Sequence, residues 1–106
     1  MKKLIGIIGI ILFFSACAFS QTAEEWNKQG IDHFKKLEYK PAYECFTKAI
    51  GLKKDFAEAY YYRGMTWLQL PSGQFPEGDG CADLKKAKEL GYKIKKGELG
   101  KFGCAE

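Results

Sequence analysis

The sequence repeats itself at a distance of 34 residues: Ala23-Glu24-Glu25-Trp26 with Gly30 returns as Ala57-Glu58-Ala59-Tyr60 with Gly64. A fixed period of this length marks a helix–turn–helix unit that cannot bury its apolar face alone and is completed by stacking on the next unit. The sequence therefore predicts an all-α fold, a short helical solenoid of two antiparallel units. Their bounds are about residues 23–56 and 57–91, with 92–106 as a C-terminal cap. Such a solenoid is a binding scaffold before it is anything else.

Within the first unit, Trp26, Ile31, Phe34 and Leu37 alternate with charged residues at helical spacing, which predicts one amphipathic helix over 23–37. Thr22 is its expected N-cap, and Glu24 and Glu25 occupy the first turn, where the helix dipole favours anions. Pro41 marks the start of a second helix carrying Ala42, Phe46, Ala49 and Ile50 and stopping near 51–54, and Asp55 is expected to cap a third over 57–70. Residues 71–80 are dense in Pro, Gly and Ser and break the chain. Beyond them Leu84, Ala87 and Leu90 repeat Phe46, Ala49 and Leu52 at a distance of 38, so the second unit carries four extra residues in its inter-helix loop. Gly91 reads as a C-cap. Residues 92–102 are read as one more helix, weakened by Gly97, Gly100 and Gly103 at about 1 kcal/mol each; on that reading Gly97→Ala is neutral or mildly stabilising.

The N-terminus has the pattern of an export leader. Lys2 and Lys3 precede an uncharged apolar run over 4–14, too short for a comfortable permanent span. Two processing routes stay open. Ala18-Phe19-Ser20 offers small residues to a signal peptidase, giving a mature start at Gln21 and a periplasmic or secreted protein; this is the favoured route. Phe14-Ser15-Ala16-Cys17 is similar to a lipobox, which makes Cys17 a lipidation candidate and the product an outer-membrane or cell-surface lipoprotein. Removal of residues 1–20 lowers the formal charge from +4 to +2, and export together with this balance argues against nucleic acid as a partner. The charge is uneven, since seven lysines against Glu89 and Glu98 make residues 85–101 formally +5. Such a run is usually a solvated face, with acidic partners or anionic head groups as the other reading.

The aromatic openers Trp26 and Tyr60, the glycines Gly30 and Gly64 four residues on, and the row Ala42, Phe46, Ala49 make the chain similar to the tetratricopeptide repeat family over about residues 23–90. It departs from that family at Lys54, where an inter-repeat proline is usual, at His33, and at Gly80, which takes the place equivalent to Ala42. The ending, with Cys81-Ala82-Asp83-Leu84-Lys85-Lys86-Ala87 and Lys101-Phe102-Gly103-Cys104, resembles small exported bacterial proteins of the same family. The resemblance implies protein or peptide binding on the concave face of the first helices: Asn27, Ile31, Phe34 and Lys35 from one unit, Tyr61, Met65, Leu68 and Gln69 from the other. The apolar members of that set are equally candidates for core. Ile31 and Met65 stand where the family's carboxylate-clamping groove would need amides, which argues against that ligand class.

Catalysis, cofactors and metals have little support in the sequence. His33 is the only histidine and pairs with no recognisable nucleophile, and His33, Cys45, Cys81 and Cys104 contain no Cys-x2-Cys clip. The chain is read as a non-enzymatic interaction module of the bacterial envelope, able to self-associate through uncapped solenoid ends. The rival readings are a lipid-anchored structural or assembly component held at Cys17 and an enzyme using Cys45 as a redox thiol. In an oxidising compartment, with Cys17 removed or acylated, three cysteines remain. Cys45 lies inside a first-unit helix, so Cys81 and Cys104 are the expected pair, folding the tail back over the end of the solenoid.

Overall fold

A computed structural model of the chain describes residues 21–70 and 80–105. The expected leader, both processing sites including Cys17, and all but the last residue of the long turn segment lie outside the described residues. Those described are helical without strands: α1 Ala23–Lys35, α2 Tyr39–Leu52, α3 Ala57–Gln69, α4 Gly80–Glu89 and a single turn α5 Glu98–Lys101. α1 packs on α2 and α3 on α4 as two helix pairs, and α2 against α3 joins them into the short solenoid.

The helix boundaries follow from local chemistry. Thr22 caps α1, its hydroxyl accepting the Glu25 N–H at 3.2 Å. α1 ends two residues before Leu37, however, and Leu37 adopts φ 63°, with the Glu38 N–H donating to the His33 carbonyl at 2.9 Å and the Leu37 N–H to Phe34 at 3.0 Å. These two bonds satisfy the last carbonyls of α1 and turn the chain into α2. Leu37 is thus an exposed turn residue rather than part of the apolar stripe. α2 begins at Tyr39, so Pro41 falls inside the first turn, where its missing N–H has no helical acceptor to lose. Asp55 does not cap α3; the capping position belongs to Phe56, without a side-chain bond, which leaves Asp55 one residue too early to reach the helix N–H groups. Gly91, at φ 97°, closes α4 as expected, the Tyr92 N–H donating to Ala87 at 2.9 Å.

The two repeat registers, 34 and 38, meet in the core. A Cβ added at Gly30 would lie 2.5–2.9 Å from the ring of Phe46, which is fully buried. One added at Gly64 would lie 2.8 Å from the carbonyl oxygen of Gly80 and 3.0 Å from Cγ of Leu84. Leu84 therefore takes the place of Phe46 and Gly80 that of Ala42, and the missing methyl at Gly80 lets α3 and α4 approach backbone to backbone. Arg63 pins the same crossing, its Nε and Nη2 each donating to the Asp83 carboxylate at 2.7 Å. Burial works against the Arg63 charge, but the hydrogen bond and the charge of Asp83 outweigh it and raise its pKa. Trp26 and Tyr60 pack around Ala49, Ile50 and Ala59 between the units.

The tail differs from the expected helix. Only α5 is helical, because Gly97 and Gly103 take left-handed φ values of 85° and 76° and end helical geometry on either side of it. Gly97→Ala is consequently a strained substitution, not a neutral one. Leu99, 1% exposed, enters a core with Leu84 and Cys104, surrounded by Tyr61, Met65, Leu68, Ile94 and Phe102. Cys81 and Cys104 are disulfide-bonded, their Cα atoms 5.4 Å apart, and Cys45 is free and buried. The tail is thereby a cap on the second unit.

Candidate partner-binding groove

The eight residues nominated on the concave face separate into distinct environments. Asn27, Ile31 and Lys35 of α1 line a groove of about 370 Å³ together with Glu24, Lys28 and Asp32, and the start of α3 completes it with Phe56 and Glu58. Helical spacing explains the α1 contribution, since residues three and four apart share a face. Asn27 is 4% exposed, and its Nδ2 donates to Glu58 Oε1 at 2.8 Å, bonding the first helices of the two units to each other. Its Oδ1 is buried without a hydrogen-bond partner. That bond fixes the amide orientation, because a reversed amide would set two oxygens against each other. Ile31 and Phe56 supply apolar surface, and three carboxylates and two ammonium groups border it.

Phe34 sits apart from this groove in an aromatic cluster, edge-on to Tyr39 and to Tyr62 with both centroid separations 5.7 Å. Tyr61, Met65 and Leu68 pack against the Leu84–Leu99–Cys104 core, and Tyr61 stacks on Tyr92 of the tail at 4.4 Å. Burial, with Glu98 and Tyr62 nearby, raises the Tyr61 pKa, and burial first of all pushes Tyr92 up to about 12. Gln69 is exposed at the end of α3. Three of the second unit's four nominated residues are therefore packed against the chain's own tail.

Glu58 and Phe56 escaped the sequence reading. Glu58 had a signal, since it stands 34 residues after Glu24 and shares its register position. Phe56 had none, because it lies between helices, where periodicity carries no information.

The remaining reactive groups are placed as follows. His33 Nδ1 lies 3.5 Å from Glu38 Oε1, an ion pair only when the imidazole is protonated and too poorly directed to count as a hydrogen bond. Burial raises the Cys45 pKa, outweighing the opposing charge of Lys48, which is the reverse of what activates a thiol. Among the described residues no three His, Cys, Asp or Glu side chains converge as a metal site. No described helix is long and apolar enough to cross a membrane, and the disulfide is compatible with an oxidising compartment. Comparison with protein-family models, with curated proteins and with solved structures finds no match.

Proposed function

We propose that this protein is a non-enzymatic, tetratricopeptide-like interaction module of the bacterial cell envelope that holds a protein or peptide partner in the groove between α1 and the start of α3. The observation that carries this reading is the contrast in occupancy: Asn27, Ile31 and Lys35 of the first unit border an open groove, whereas Tyr61, Met65 and Leu68 of the second are packed against the tail. Ile31 and Phe56 suit an apolar side chain of an extended segment, and the mixed charges around them suit flanking residues of both signs. A groove of two units is shallow, so affinity for a free peptide is modest unless copies stack. Export in this reading ends either in release after Ser20 or in anchoring at Cys17, and mass spectrometry of the mature N-terminus distinguishes them.

Ile31→Asp places a carboxylate on the apolar strip of the groove and is expected to remove capture of the envelope partner while circular dichroism stays helical. Retention of capture by that variant contradicts the reading. Tyr61 and Met65, the natural pair to replace from sequence alone, are unsuitable probes because both belong to the tail's core.

A further inference from the structure

One stretch of the second unit and its tail concentrates positive charge. Residues 85–101 hold seven lysines against Glu89 and Glu98, formally +5, while the flanking Glu77, Asp79, Asp83 and Glu106 bring residues 71–106 to +1, the same as residues 21–70. Asp83 is committed to Arg63, and Glu98 Oε2 accepts the Lys95 backbone N–H at 2.9 Å. All seven lysines are exposed, and none lies within ion-pair distance of a described carboxylate.

The disulfide gathers these lysines. One hollow of about 380 Å³ is lined by Lys85, Lys88 and Glu89 of α4 with Leu99 of α5. A second, of about 440 Å³, is lined by Lys95, Lys96 and Lys101 with Glu98 and Phe102. Both border the α5 turn, which the Cys81–Cys104 bond holds against α4. Two lysines of α4 and three of the tail thus border the same α5 turn, the latter three beside the half-buried Phe102 ring.

We propose that this lysine-lined end docks on an anionic phospholipid surface. Every cation in it is a lysine, a point charge without the guanidinium fork that matches individual carboxylates, and the chain's one arginine is spent on Asp83. Dispersed point charges suit a continuous layer of head groups better than a specific acidic peptide, and each lysine brought near such a layer strengthens binding about fivefold. The inference is independent of how the N-terminus is processed.

The test uses the protein as the cell produces it, sedimented with vesicles of phosphatidylcholine alone or with about one third phosphatidylglycerol, so that any contribution of a lipidated N-terminus is common to both. Binding to the anionic vesicles is expected to be at least about tenfold tighter than to the neutral ones and to fade at roughly 0.5 M salt. Lys95→Glu with Lys96→Glu should remove at least about tenfold, whereas Lys36→Glu with Lys40→Glu in the first unit, an equal change of net charge, should have a much smaller effect. Reduction of the disulfide should also weaken binding, by freeing the tail from α4. Equal binding to both vesicles, or equal losses from the two double reversals, overturns the proposal. So does binding to soluble polyglutamate without binding to vesicles, which assigns this end to an acidic protein instead.

Discussion

The two units start from one pattern and close in different ways. In the first, Gly30 makes room for the large ring of Phe46, and the groove beside Asn27 stays open. In the second, Gly64 makes room for the backbone at Gly80, the smaller Leu84 replaces the ring, and the tail fills the space over Tyr61, Met65 and Leu68. A repeat register thus specifies where helices cross, while the use made of the exposed face depends on what the chain places next to it. The first unit has the second as its neighbour, and the second has a disulfide-held cap.

The largest expected effect separates the units through that cap. Replacing Cys81 and Cys104 together by Ser removes the closure of a 23-residue span and should cost roughly 3 kcal/mol in a urea melt. Hydrogen exchange should rise around Tyr61 and Leu99 and stay unchanged around Trp26 and Asn27. Uniform loss of protection would mean that the units do not differ in this way.

Next come the glycines. Gly30→Ala and Gly64→Ala should each cost about 1–3 kcal/mol, since each new methyl meets atoms closer than van der Waals contact allows. Adding Phe46→Leu should recover part of the Gly30→Ala loss, because the obstructing atoms belong to a side chain. No side-chain replacement should fully recover Gly64→Ala, where the closest atom is a main-chain oxygen. Failure of the first rescue in a double-mutant cycle would dissolve the distinction.

A smaller contrast lies within the tail. Gly97→Ala forces a Cβ into left-handed backbone and should destabilise by about 1 kcal/mol, whereas Gly100→Ala, inside α5 with open space around it, should stabilise slightly. Matching effects at both sites would restore the continuous helix expected from sequence.

The last effect is confined to alkaline pH. The phenol of Tyr92 ionises near 10 in the unfolded chain but is held up to about 12 in the fold, chiefly by burial. Between those values the unfolded state binds fewer protons, so the stability of the native protein falls as pH rises from about 10 to about 12. Relative to Tyr92→Phe, this loss should be absent in the variant and invisible below pH 10.

The sequence disclosed the parts of this structure that recur. Gly30 and Gly64, Phe46 and Leu84, and the Thr22 and Gly91 caps could be read because each occupies a repeated position or a strong local stop. The disulfide was legible for a different reason: the oxidising compartment expected from the leader pattern, together with helix placement, left one sensible pair. Leu37 misled because an apolar residue three after Phe34 continues a helical stripe, and only the hydrogen bonds of the turn reveal its left-handed backbone. The tail misled because a repeat says nothing about the segment after its last copy. Hence Met65 and Leu68 could be read equally as groove or core, and nothing in the pattern showed that the tail would cover Tyr61 with them.

Site-specific photo-crosslinking in cells that produce the protein tests the central claim most directly, with a benzophenone side chain at position 28 in the groove and, separately, at position 69 on the exposed end of α3. The account predicts a discrete protein adduct from position 28 that disappears when Ile31→Asp is added, and none from position 69. An adduct from position 69 alone, or one from position 28 that survives Ile31→Asp, would contradict it.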